Sequence, residues 1–130
     1  MKIWITMLTI ILMCGCEPSK SNVTGSNSVI DLNSAEFVIT EKNAYSSSFQ
    51  VNGTVENTGN TTYYPVWYIE ADFYANDEYV LKFGGTSTSI THSLEPGEQT
   101  LWTLSFSSSQ INESDYGDFA IKNIRAYKVD

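Results

Sequence analysis

The chain predicts an all-β fold: a single sandwich of about seven antiparallel strands, following a short apolar segment and a polar tether. Three observations predict it. From Tyr63 to Ala75, apolar odd positions alternate with even positions that carry Glu70 and Asp72, the period-two pattern of a half-buried strand. Short clusters of Gly, Pro and Asn punctuate residues 57–118 at strand-like intervals. No segment of the folded part carries a helical period, and a length of 130 residues leaves room for one domain.

Taken in order, Lys2 precedes an apolar run from Ile3 to Met13. Eleven residues of helix span roughly 16 Å, about half of a bilayer's hydrocarbon core. The run therefore reads as the h-region of a secretory signal peptide. Cys14 and Cys16 end it and are the chain's 2 cysteines. A disulfide between them would close a tiny, strained ring and constrain almost nothing. Met13-Cys14-Gly15-Cys16 resembles a bacterial lipobox, with Met13 where leucine is usual. That resemblance implies lipidation of Cys16 by a palmitate-bearing anchor, cleavage just before it, and loss of Cys14 with the leader. Residues 17–34, rich in Ser and Asn, read as a flexible tether with a reach of roughly 23 Å. The expected organisation is thus a signal peptide at 1–15, lipidated Cys and tether at 16–34, and the β domain at 35–130. Val29, Ile30 and Leu32 read equally as a short first strand, which leaves that boundary soft.

Within the domain, AEFVIT (35–40) and SFQVNGTVEN (48–57) read as strands, with Gly59 between asparagines supplying the next turn. The long strand over 63–75 follows. Asn76-Asp77-Glu78 reads as a hairpin turn into a strand at 79–83, and Gly84-Gly85 as a kink or bulge. Glu95-Pro96-Gly97-Glu98 is a type II turn signal, since Pro presets φ and Gly supplies the positive φ after it. Residues 100–106 and 119–129 complete the set, with a bulge expected near Asn123 where the alternation slips. Trp67, Phe73, Trp102 and Phe106 are the expected aromatic core.

Three stretches, VNGTVENTGN (51–60), IEADFYANDEYV (69–80) and SLEPGEQTLWTLSF (93–106), resemble the FxLyD domain family. The shared signals are Gly53-x-Val55-x-Asn57, Phe73-Tyr74-Ala75 and Leu94-x-Pro96-Gly97-Glu98. Ala75 stands where Asp is common, and the turn after it lacks the usual Gly. The resemblance covers about 49–129. It implies an immunoglobulin-like sandwich on an exported or membrane-attached prokaryotic protein, and it supplies no catalytic residues.

The formal net charge of −8 argues against nucleic acid and against electrostatic adhesion to anionic lipid. Chemistry-bearing groups are few. His92 is the 1 histidine and sits in a Ser/Thr-rich stretch, outside any nucleophile-elbow context. One histidine and a lipidated cysteine do not make a zinc site. Glu70 and Asp72 share a strand face about 6.5–7 Å apart, a pair that glycoside hydrolysis could use only inside walls that shift a pKa. Asp72, Asn76, Asp77 and Glu78 gather hard oxygen ligands without the ordered spacing of a calcium loop. Tyr64, Tyr68 and Tyr74, on the same face as Glu70 and Asp72, form the candidate binding surface for protein or sugar, or else pack as cross-strand pairs. The expectation is a non-catalytic binding or assembly module of the bacterial cell envelope. It needs no cofactor or metal, is held to the membrane through its N-terminal lipid, and faces the periplasm or exterior. The alternative is a small carbohydrate-active or hydrolytic envelope protein working through Glu70 and Asp72.

Overall fold

The computed structural model describes residues 28–111 and 115–130; the expected signal segment, Cys16 and the tether as far as residue 27 lie outside them. Seven strands occur among the described residues: β1 (Val29–Asp31), β2 (Ala35–Ala44), β3 (Ser48–Asn57), β4 (Trp67–Tyr74), β5 (Lys82–Ile90), β6 (Gln99–Ser107) and β7 (Ala120–Val129). All neighbours are antiparallel. One sheet has the order β1-β7-β4-β5 and the other β2-β3-β6. The two sheets pack face to face as a single immunoglobulin-like β-sandwich.

Strict alternation explains the packing. Along β3, Phe49, Val51, Gly53, Val55 and Asn57 are buried, and along β4 so are Trp67, Ile69, Ala71 and Phe73. These rows meet between the sheets. Phe49 stacks on Phe119 at 4.1 Å between ring centroids, and Phe73 lies 6.1 Å from both. Trp67, Phe73 and Trp102 are core residues as expected, whereas Phe106 is only partly buried, against Phe73 at 5.4 Å. Phe49 and Phe119, both fully buried, belong at the centre instead. Gly53 makes room for this core: a Cβ there would come within 2.6 Å of the Trp102 ring.

Several boundaries differ from the sequence expectation. Val29–Asp31 pairs with the end of β7, so the sheet reaches back before Ala35. β4 starts at Trp67 and not at Tyr63, because Tyr63 instead exchanges backbone hydrogen bonds with Leu94 in an isolated bridge, and Pro65 has no N–H to give a ladder. β5 starts at Lys82 and not at Tyr79. The Asn76 side chain accepts the Glu78 N–H at 3.0 Å, and the Ala75 N–H reaches the Leu81 carbonyl at 2.9 Å, closing a longer loop. The two expected irregularities are present: a register shift opposite Gly84, where a Cβ would strike Phe106, and a bulge at Asn123, which has φ of 59°. The Pro96-Gly97 turn also forms, with Gly97 at φ 84° and Glu98 N–H donating to the Glu95 carbonyl.

Register defines two ends. The proximal end gathers Ser28, Asp130, the start of β4 and the Asn57–Gly97 loops; Asp130 N–H donates to the Ser28 carbonyl at 2.9 Å. The distal end carries the β2–β3 turn, the 75–81 loop and the approach to β7.

Candidate functional site

Alternation places Tyr68, Glu70, Asp72 and Tyr74 in one outward row on β4, as their spacing predicts. Tyr64 does not join them. It lies in the connection before β4 and is 61% exposed. The row is flanked on one side by Tyr127, Arg125 and Lys122 of β7, and on the other by Ser89, Ser87, Gly85 and Lys82 of β5.

Tyr68, Glu70 and Asp72 are engaged across the sheet, and Tyr74 with the loop that follows β4. Tyr68 stacks on Tyr127 at 5.3 Å, and the Arg125 guanidinium lies over the Tyr127 ring at 4.9 Å. Arg125 Nε donates to Glu70 Oε2 at 2.6 Å, and its Nη1 donates to Asp31 Oδ1 at 2.6 Å, so one cation joins β4, β7 and β1. The bond from Glu70 is the largest of the effects that raise the Arg125 pKa above its ordinary value. Asp72 pairs with Lys82 Nζ at 3.3 Å and accepts from Asn123 Nδ2 at 2.9 Å. Tyr74 meets Tyr79 edge to face at 5.3 Å, and Lys122 lies over the same Tyr79 ring at 4.7 Å. Tyr68 thus packs in a cross-strand pair, whereas the ring partner of Tyr74 belongs to the loop that follows β4. The sequence singled out β4 but not its partners Asp31, Lys82, Arg125 and Tyr127, because pairing register is a long-range property.

Beside the carboxylates is a depression of about 240 Å³ lined by Glu70, Ala71, Asp72, Gly85, Thr86 and Ser87. Its existence depends on the small residues of β5; a Cβ on Gly85 would stand 2.9 Å from Asp72 Oδ1. The two carboxylates hold Arg125 and Lys82, and their free lone pairs can still accept hydrogen bonds from hydroxyl groups.

The calcium grouping does not assemble. Asp72 is held on the sheet by Lys82 and Asn123, while Asn76, Asp77 and Glu78 line a distal cavity of about 400 Å³ with Lys42, Gly117 and Asp118. Among the described residues, no group of three acidic, His or Cys side chains could hold a metal ion. His92 is exposed and has one side-chain partner, Thr100 Oγ1 at 3.1 Å; its backbone carbonyl accepts the Trp67 indole N–H at 3.0 Å.

Among the described residues Asn57 is the one fully buried polar side chain, and it organises the proximal end. Its Nδ2 donates to the Thr61 carbonyl at 2.8 Å and the Leu94 carbonyl at 2.9 Å, and its Oδ1 accepts the Gly59 N–H at 3.0 Å. Its backbone is bonded to Glu98 and Gly97. Next to it, burial pushes the Tyr63 phenol above its ordinary pKa. These contacts are structural; they tie two loops to one strand end. No family model, no curated protein and no solved structure matches this chain.

Proposed function

We propose that this protein is a lipid-anchored, non-catalytic binding or assembly module of the bacterial cell envelope, built on an FxLyD-like sandwich. The observation that carries the reading is Gly15-Cys16 at the end of the eleven-residue apolar run Ile3–Met13. That pattern fits export followed by acylation of Cys16, since the run is too short to span a bilayer. The domain would then stand on a polar tether, facing the periplasm or exterior. The engagement of Glu70 and Asp72 with cations supports a binding role over a catalytic one.

Intact mass of the membrane-fraction protein tests the reading. The expected product lacks residues 1–15 and carries an acyl adduct that Cys16→Ala abolishes and Cys14→Ala leaves in place. An unmodified chain, or an adduct that depends on Cys14, would overturn it. The depression beside Glu70 and Asp72 favours a second reading, recognition of a carbohydrate with or without hydrolysis. Saturable glycan binding or turnover that Asp72→Asn removes would support that reading; a null result across a glycan panel would end it.

A further inference from the structure

The 75–81 loop carries a feature that its structural role does not require. Tyr79, Val80 and Leu81 are consecutive, and all are exposed, Val80 to 82% and Leu81 to 51%. Three exposed apolar residues in a row cost solubility. The backbone bends to present them. Tyr79 has φ of 57°, a left-handed conformation that a bulky L-residue rarely adopts, and its ring is held against Tyr74 and beneath Lys122. The ring contacts brace the loop base, and Val80 and Leu81 project beyond it.

The charges around this tip are lopsided. Lys82 is paired with Asp72, Lys122 lies over the Tyr79 ring, and Lys42 Nζ donates to the Phe119 carbonyl at 2.8 Å. Asp77, Glu78 and Asp118, which line the adjoining cavity, form none of the salt bridges among the described residues. An apolar knob therefore stands beside a cavity rim on which three carboxylates, Asp77, Glu78 and Asp118, outnumber the one cation, Lys42, which keeps its charge in bonding a neutral carbonyl. Ser28, the first described residue, lies at the opposite end.

We infer that the Val80–Leu81 tip is a docking knob for a protein partner whose surface offers an apolar pocket bordered by Lys or Arg. The orientation rests on the anchor reading: a domain tethered at its proximal end presents the 75–81 loop away from its own membrane. Charge complementarity selects the occupant. The excess carboxylates repel anionic headgroups and repel the same tip of a second copy, but they attract a basic protein surface. Val80 and Leu81 supply the desolvated centre of the contact, and Asp77, Glu78 and Asp118 supply its polar rim.

The test uses the full chain in intact cells, with a diazirine-bearing apolar residue at Val80. The expected result is one heterologous protein adduct whose cross-linked peptide holds Lys or Arg beside apolar residues. The adduct should fall at least about tenfold with Leu81→Asp, the scale of one apolar anchor, and several-fold with Asp77→Asn/Glu78→Gln/Asp118→Asn. The same diazirine at Leu101, 76% exposed on the outer face of the other sheet, should yield no such adduct. Unchanged melting of the Leu81→Asp chain shows that folding is intact. Adducts only with lipid or with a second copy, absence of a heterologous adduct, or an adduct indifferent to these variants would each overturn the inference. Membrane fractionation of the same cells reads the anchor separately. A soluble chain that still forms the specified adduct leaves the knob standing without the anchor, and an anchored chain without the adduct removes the knob alone.

Discussion

The two ends of the sandwich treat their loops differently. At the proximal end, one buried amide, Asn57, reaches Thr61, Leu94 and Gly59, and the Tyr63–Leu94 bridge and the Pro96-Gly97 turn close around it. At the distal end, Phe49, Phe73 and Phe119 seal the core, yet the 75–81 loop above them leaves Val80 and Leu81 in water. Buried polar bonds hold a loop in one place because breaking any of them strands a desolvated group. An exposed apolar tip gains nothing comparable from the fold. The difference separates loops that serve stability from a loop left free to serve something else.

Removing a distal core ring should produce the largest effect. Phe49→Ala opens a cavity among Phe73, Phe83 and Phe119, and should cost about 3–5 kcal/mol in urea unfolding. Asn57→Ala comes next, at about 2–4 kcal/mol, since it takes the partner from the Thr61 carbonyl and the Gly59 N–H and leaves the Leu94 carbonyl with the Tyr63 N–H alone. Hydrogen exchange should then show the 58–63 and 94–97 amides losing protection before the distal strands do. If the loss is instead spread evenly over both sheets, Asn57 does not organise that end.

The third variant, Tyr63→Phe, is conditional on pH. Its hydroxyl is buried without a hydrogen-bond partner, so near neutrality its removal should raise stability, by about 1 kcal/mol. The native phenol pKa is raised by burial, so the folded state holds its proton after the unfolded chain has lost it at about pH 10. Wild-type stability should therefore fall as pH rises above about 10, and Tyr63→Phe should lack that part of the slope. Parallel slopes for the two proteins would exclude Tyr63 as the source. The smallest effect belongs to the distal tip. Val80→Ser should change unfolding by no more than about 0.5 kcal/mol, as for most exposed positions. A cost of several kcal/mol would show that the tip packs into the fold and would dissolve the contrast between the ends.

Much of the fold was readable from local pattern. Alternation along β4 set which side chains face inward, Pro96-Gly97 and Gly84 marked a turn and an irregularity by their own conformational preferences, and a slip in the alternation marked the bulge at Asn123. The candidate site was only half readable. Spacing put Tyr68, Glu70, Asp72 and Tyr74 in one row, but it also carried that strand back to Tyr63 and began the next one at Tyr79, where the apolar residues continue without a ladder.

Local chemistry by itself thus determined the all-β class, the inward rows and the turns, because side-chain period and backbone preference act within a few residues. Tertiary structure alone decided that Arg125 neutralises Glu70 and Asp31, that Asn57 gathers two distant loops, that Phe49 and Phe119 meet at the centre, and that Val80 and Leu81 remain uncovered. Those outcomes depend on which strands become neighbours and in which register. Such pairings are fixed by the packing of whole sheets, whose partners lie tens of residues apart in the chain.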